Sequence, residues 1–150
     1  MDTSSNFPFE TSAMVGRSCI CLGVQRASRV IGRRFDEALR PVGLNNWQFS
    51  LMMALHRPEA TSVGKLAERL AMDRTTITTN LKPLERRGLV ETRPDPQDGR
   101  VRRVSLTDAG RSLLAEALVH WQTVNDAVVA SLGDGNVPAF QEALRQIRQG

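Results

Sequence analysis

The chain has 150 residues, 41% of them apolar, which suits one domain or one compact unit with an appended interface. No run approaches the roughly 20 apolar residues that span a bilayer, the N-terminus lacks a basic segment followed by an apolar one, and two cysteines exclude a disulfide framework. A soluble cytoplasmic protein with no membrane partner is therefore expected. The net charge of +4 is modest but localised: Arg74 to Arg103 holds eight basic and four acidic residues, while the rest balances at twelve of each. A local excess of this kind favours a polyanionic partner.

Residues 1–12 contain few helix formers, and Pro8 lies between Phe7 and Phe9. An extended arm is expected there, its phenylalanines packed on something such as a second subunit. From Val15 to Arg40 apolar residues recur at helical spacing (Ile20, Val24, Ala27, Ile31, Phe35, Leu39), which predicts one long amphipathic helix ended by Pro41 and Gly43. Asn45 and Gln48 form a capping-box pair for a helix to about His56, with Trp47, Leu51 and Leu55 on one face. A third helix spans Val63–Leu70 and buries Leu66, Ala67 and Leu70. Ala71 and Met72 make a turn. Asp73 then caps a fourth helix, Arg74 to about Arg87, with Ile77, Leu81 and Leu84 inward and Gly88 as a left-handed stop. Leu89–Thr92 and Arg102–Leu106 alternate like strands around the turn-rich stretch 93–100. Thr107 caps a fifth helix carrying Leu113, Leu114, Ala117, Leu118, Trp121, Val124 and Val128. The Gly-Asp-Gly at 133–135 breaks it, and a last helix follows from Val137 to Arg148.

The order is a helix-turn-helix followed by a basic hairpin, between terminal helices. Away from its apolar stripe the fourth helix presents Arg74, Thr75, Thr76, Thr78, Thr79, Asn80 and Lys82. Threonine is a poor helix former, so four in five positions need a reason other than helix stability. Short hydroxyl and amide groups suit a helix lying close to base edges: Asn reads adenine, Thr touches a thymine methyl, and Arg or Lys reads guanine or holds phosphate. The N-terminal part, Arg74–Thr79, leads into a major groove. Arg100 stands at the hairpin tip, placed for a minor groove. Asp98 is expected to orient the Arg100 guanidinium through a bidentate pair. Lys82, Arg102 and Arg103 are expected to hold phosphates. Pro83 removes a hydrogen bond to the Thr79 carbonyl and is expected to kink the fourth helix, separating a reading half from a packing half.

The runs Leu84-Glu85-Arg86-Arg87-Gly88-Leu89-Val90, Asp95-Pro96-Gln97-Asp98-Gly99-Arg100 and Leu106-Thr107-Asp108-Ala109-Gly110 together resemble the signature of MarR-type transcription regulators. The resemblance covers nearly the whole chain, since the flanking helices match in number, length and order. It implies a mainly α fold with a small β-hairpin wing, a winged helix-turn-helix flanked by N- and C-terminal dimerisation helices. In such a single MarR-like domain, 1–44 and 107–150 form the dimerisation part and 45–106 the DNA-binding part. It further implies a homodimer on a pseudo-palindromic operator of double-stranded DNA, usually a repressor, often released by a small aromatic or lipophilic effector. Arg74–Arg87 would be the recognition helix and Glu91–Leu106 the wing.

Sensing is open at three places. Trp47, Met52, Met53 and His56 are candidates for an effector pocket, the methionines giving an adaptable wall, although an apolar stripe is more often core. Some members of the resembled family sense peroxide through a cysteine near Cys19, commonly held by tyrosines, and this chain has no tyrosine. Residues two apart on an intact helix diverge, which disfavours a Cys19–Cys21 disulfide. No metal site is expected with two histidines and two cysteines, and no cofactor is implied. Two further function classes compete with the DNA-binding regulator. One is a winged-helix protein–protein module, which would expose apolar residues on its wing. The other is an enzyme, for which the chain lacks a phosphate loop, a nucleophile motif and a His/carboxylate cluster.

Overall fold

The computed structural model describes residues 7–133 and 135–149. These form seven helices and three short strands: α1 Phe9–Ser18, α2 Ile20–Leu39, α3 Asn46–Leu55, β1 Thr61–Ser62, α4 Val63–Leu70, α5 Arg74–Arg86, β2 Val90–Pro94, β3 Arg102–Leu106, α6 Asp108–Leu132 and α7 Asn136–Gln149. A short 3-10 turn, Arg40–Val42, follows α2 directly. No helix among the described residues is long and apolar enough to cross a membrane. The chain divides into two compact units, one ending at Arg34 and the other beginning at Phe35.

In the first unit the expected extended arm is replaced, from Phe9 onward, by helix α1; residues 1–6 of that arm lie outside the described residues. Pro8 supplies the fixed extended residue before the helix, its carbonyl accepts the Thr11 N–H at 3.0 Å, and Glu10 meets the positive end of the helix dipole. The single helix expected from Val15 is also two helices. They meet at Cys19, whose backbone is extended (ψ 108°). Cys19 closes α1 by donating its N–H to Val15 at 2.9 Å. Its Sγ then accepts the Leu22 N–H at 3.5 Å, capping α2. One residue thus ends one helix with its backbone N–H and starts the next with its sulfur. Apolar periodicity could not reveal this, because the stripe continues across the break. Phe7, Phe9, Met14, Val15, Ile20 and Val24 are exposed in this unit.

The second unit holds the core. Leu39, Leu51, Met52, Leu66, Ile77, Leu84 and Val104 are the largest of its fully buried side chains. The Asn45–Gln48 capping box is formed as expected, with Oδ1 of Asn45 accepting from the Gln48 amide at 2.8 Å and the Gln48 side chain accepting from the Asn45 amide at 3.1 Å. Along α3, however, Phe49 and Met52 join Leu51 and Leu55 in the core, while Trp47 is exposed. Phe49 stacks on Trp121 of α6, with ring centroids 6.2 Å apart.

The sheet has order β1-β3-β2, both pairs antiparallel. Strand β1 was not foreseen: two residues, Thr61 and Ser62, opposite Val104 and Arg103, carry no periodic signal. Strand β2 begins one residue later than expected. The Gly88 N–H donates to Glu85 and the Leu89 N–H to Leu84, a left-handed cap with Gly88 at φ 68° that absorbs Leu89 into the end of α5. It also runs further, to Pro94, which an edge strand tolerates. Helix α5 continues without a break through Pro83, so the expected kink does not divide it into two elements. Buried Leu81 and Leu84 on either side hold both parts of the helix to the same core. Helix α6 starts where expected, with Thr107 Oγ1 accepting the Gly110 N–H at 3.0 Å.

Candidate nucleic-acid interface

Helix α5 starts as its sequence dictates. The Asp73 carboxylate accepts the Thr76 N–H at 2.8 Å and the Thr76 hydroxyl at 2.6 Å. Those bonds, the hydroxyl first, hold the Asp73 carboxyl below the usual carboxylate range. At roughly 100° per residue, Ile77, Leu81 and Leu84 define one side and Thr75, Thr78, Thr79 and Lys82 the opposite side. The first three are buried and the last four exposed.

The remaining candidates of α5 sit on its flanks. Thr76 is half-buried and committed to Asp73. Asn80, also half-buried, donates Nδ2 to the Thr76 carbonyl at 3.0 Å. That contact corrects the expectation that its amide is simply presented outward. The Thr78 hydroxyl donates to the Arg74 carbonyl at 2.8 Å, which leaves its methyl and oxygen lone pair outward. Arg74 is exposed, but its guanidinium lies over Gly64 of α4, where an added Cβ would come within 3.2 Å of Nη2.

The hairpin is organised by Asp95, to which its sequence position alone assigns no role. Asp95 is buried at the base of the loop. One carboxylate oxygen accepts the amides of Gln97 at 2.8 Å and Asp98 at 3.1 Å, and the other accepts Nε of Arg103. The amide of Gln97, the Arg103 side chain and the amide of Asp98, in that order, hold the Asp95 carboxyl below its usual range. Arg103 also donates Nη1 to the Ala60 carbonyl at 3.2 Å. The expected phosphate-holding role of Arg103 is thus corrected: its guanidinium ties the wing to the segment leading into β1. The available signal was Asp95 opening the Asp-Pro-Gln-Asp turn, with a basic partner eight residues on.

The Asp98–Arg100 arrangement differs as well. Asp98 Oδ1 accepts the backbone N–H of Arg100 at 3.1 Å, which shapes the turn, and the ion pairs among the described residues do not include Asp98 with the Arg100 guanidinium. Arg100 and Arg102 are exposed, and neither side chain has an intramolecular polar partner among the described residues. Glu85 of α5 accepts the Thr92 hydroxyl, which fastens β2 to α5.

The four residues offered as an effector pocket do not converge. Met52 is fully buried in the core, while Trp47 is 49% and Met53 42% exposed. Trp47 lies in the first turn of α3, while His56 lies past its C-terminal end, as the capping residue with a non-helical backbone. His56 instead lines a separate cavity of about 220 Å³ with Leu55, Arg57, Pro58, Leu106 and Arg111. Cys19 is half-buried and Cys21 exposed, and both are free. The intact helix expected to set these two thiols apart is interrupted at Cys19 itself.

Residues 44–101 match the MarR family. The fold is similar to that of the M. tuberculosis transcriptional regulator MosR in complex with DNA, at 36% identity and TM-score 0.79, covering 88% of this chain and 95% of that one. It is also similar to the transcriptional repressor CouR bound to a 23-mer DNA duplex, at 28% identity and TM-score 0.81, covering 89% and 94%. Among curated sequences, the HTH-type transcriptional regulator YdgJ of Bacillus subtilis is 32% identical over 88 residues, or 59% of this chain. The match spans about half of that relative's length, 52%. The fold, the signature runs and these likenesses together place the chain in the MarR family of winged helix-turn-helix proteins.

Proposed function

We propose that the protein is a sequence-specific DNA-binding transcription regulator, acting as a homodimer on a pseudo-palindromic operator, and that it is a ligand-responsive repressor. One observation carries the reading: the exposed face of α5 and the tip of the wing both present groups without intramolecular partners among the described residues, namely Thr75, Thr79, Lys82, Arg100 and Arg102. The helix face supplies small groups that approach base edges. The tip supplies cations for the minor groove and backbone. Arg74, Thr76, Thr78, Asn80 and Asp98 shape and flank that surface. Likeness to two regulators solved with DNA supports the same reading. A protein–protein module would be expected to show apolar groups where this wing shows arginines.

The homodimer reading is supported by the apolar groups each unit leaves exposed: Phe9, Ile20 and Val24 in the first, and Val119, Phe140 and Ile147 in the second. Repression follows the likeness to CouR, itself a repressor. An effector would need a site other than the one expected on α3, and the cavity beside His56 and Arg111 offers one. We read the chain as non-enzymatic and cytoplasmic, in keeping with relatives that are transcription regulators.

The test is Arg100→Ala against a selected operator. Affinity should fall by at least ~1 kcal/mol and the salt slope should flatten by about one ion. An unchanged slope with unchanged affinity removes the wing tip from the interface.

A further inference from the structure

The terminal turn of α2, Phe35–Leu39, and the 3-10 turn that continues it are fastened at two separate points. At the first, Oδ1 of Asp36 accepts the backbone N–H of Asn46 at 2.8 Å and its side-chain amide at 2.6 Å, which holds the start of α3 to α2. At the second, Arg87, the residue that caps α5, reaches back across the chain. Its Nη1 donates to the Gly43 carbonyl at 2.6 Å and its Nη2 to the Val42 carbonyl at 3.1 Å. These carbonyls sit at the C-terminal end of a helical segment, where backbone dipoles attract a cation. Gly43 leaves the fork its space: it adopts φ +67°, and a Cβ there would lie 3.3 Å from Nη2 of Arg87. Leu39 and Val42 are buried, so the turn is anchored to the core as well.

Two of the five N–H donors of the exposed Arg87 guanidinium are committed to backbone carbonyls. We infer that Arg87 and Asp36 form a clamp fixing the recognition helix relative to the end of α2, and that this clamp sets which separation of operator half-sites the protein accepts. The inference rests on the DNA-binding reading above. In a two-fold dimer, half-site spacing is a property of how each recognition helix is tied to the rest of its own subunit. A planar fork with two hydrogen bonds resists rotation about either one, which a single ammonium contact does not. Arg87 is therefore a positioning residue for specificity. Loosening it lets α5 pivot on its apolar stripe. Operators of the wrong spacing are then penalised less, and the correct one gains less.

Two measurements test this on the full-length protein. The first uses a duplex selected by the wild-type protein from a random library, and derivatives with one base pair added or removed between the half-sites. Arg87→Ala should reduce discrimination among these spacings several-fold with the salt slope unchanged, and Arg87→Lys should fall between it and wild type. Retained discrimination overturns the clamp, and so does a lowered salt slope with discrimination intact, which would make Arg87 a phosphate contact. The second measurement is amide hydrogen exchange without DNA. Asp36→Ala should speed exchange at Asn46 and also at Gly88 and Leu89, whose N–H groups close the end of α5. Faster exchange confined to the start of α3 overturns the clamp. If the wild-type protein selects no duplex, the DNA-binding reading fails, and the exchange result still decides the clamp.

Discussion

Gly110 is the position where one added methyl group should cost most. It lies in the first turn of α6, against the end of α5. A Cβ built on it would stand 2.0 Å from the Leu89 carbonyl oxygen and 3.0 Å from the carbonyl carbon. That oxygen cannot swing aside as a flexible side chain would. It belongs to the backbone and accepts the Thr107 N–H at 3.1 Å, while the adjacent Gly88 carbonyl accepts the Thr107 hydroxyl at 2.6 Å. Restoring ordinary contact requires a retreat of more than about 1 Å, a disturbance of the kind that costs roughly 1–3 kcal/mol in packed interiors. The Gly110→Ala change works against this through helix propensity, worth about 1 kcal/mol in favour of Ala. Because the opposing atom is a tethered carbonyl, the upper end of the packing cost applies, leaving a net loss of about 1–2 kcal/mol. For a chain of this length that corresponds to a fall in Tm of about 2–8 °C. Thermal unfolding followed by circular dichroism, at one fixed protein concentration because association raises Tm, is the assay. A variant melting at or above wild type would show that propensity alone governs the site and would refute the close-approach argument.

Two further outcomes are expected from α5. The lowered pKa of Asp73 means that its contribution to stability is present above its unfolded value of about 3.9 and is lost as pH falls through the still lower folded value. Asp73→Ala should therefore lower Tm at neutral pH, with the gap to wild type closing only below about pH 4; a gap independent of pH would mean the carboxylate is not the capping group. Pro83→Ala returns an N–H donor to the Thr79 carbonyl and should raise stability by about 1–3 kcal/mol, the lower end if the helix has already adjusted around the ring. Urea unfolding measures this directly, and a less stable variant would mean that packing of the half-buried ring outweighs the lost hydrogen bond.

Much of the second unit was legible because local rules and the core agree there. Asn45, Asp73, Thr107 and Gly88 each cap or stop a helix by chemistry that a few neighbouring residues suffice to specify. The stripe Ile77, Leu81, Leu84 likewise fixed which side of α5 faces outward. The misreadings share a cause, which is interaction across long sequence separations or against the local pattern. Arg103 looked free because its partners, Asp95 and Ala60, are brought to it only by the folded sheet. Arg87, to which the sequence assigned no side-chain role, contacts residues more than forty positions away. Met52 and Met53 are indistinguishable by type, yet one is in the core and the other on the surface. The interruption at Cys19 rests on a weak sulfur acceptor that no propensity scale marks.

The Asp95 hub has a kinetic consequence. Because its carboxylate holds two loop amides and Arg103 in the folded chain, the turn carrying Arg100 would, under the proposed DNA-binding function, already be shaped before a duplex arrives. Little ordering of the loop backbone remains to oppose association, so the conformational entropy of that segment is given up during folding rather than at the encounter. Changes at the tip should then register mainly in how long a complex lasts. Loosening Asp95 should instead slow the formation of a productive complex, since each encounter would have to wait for the turn to form.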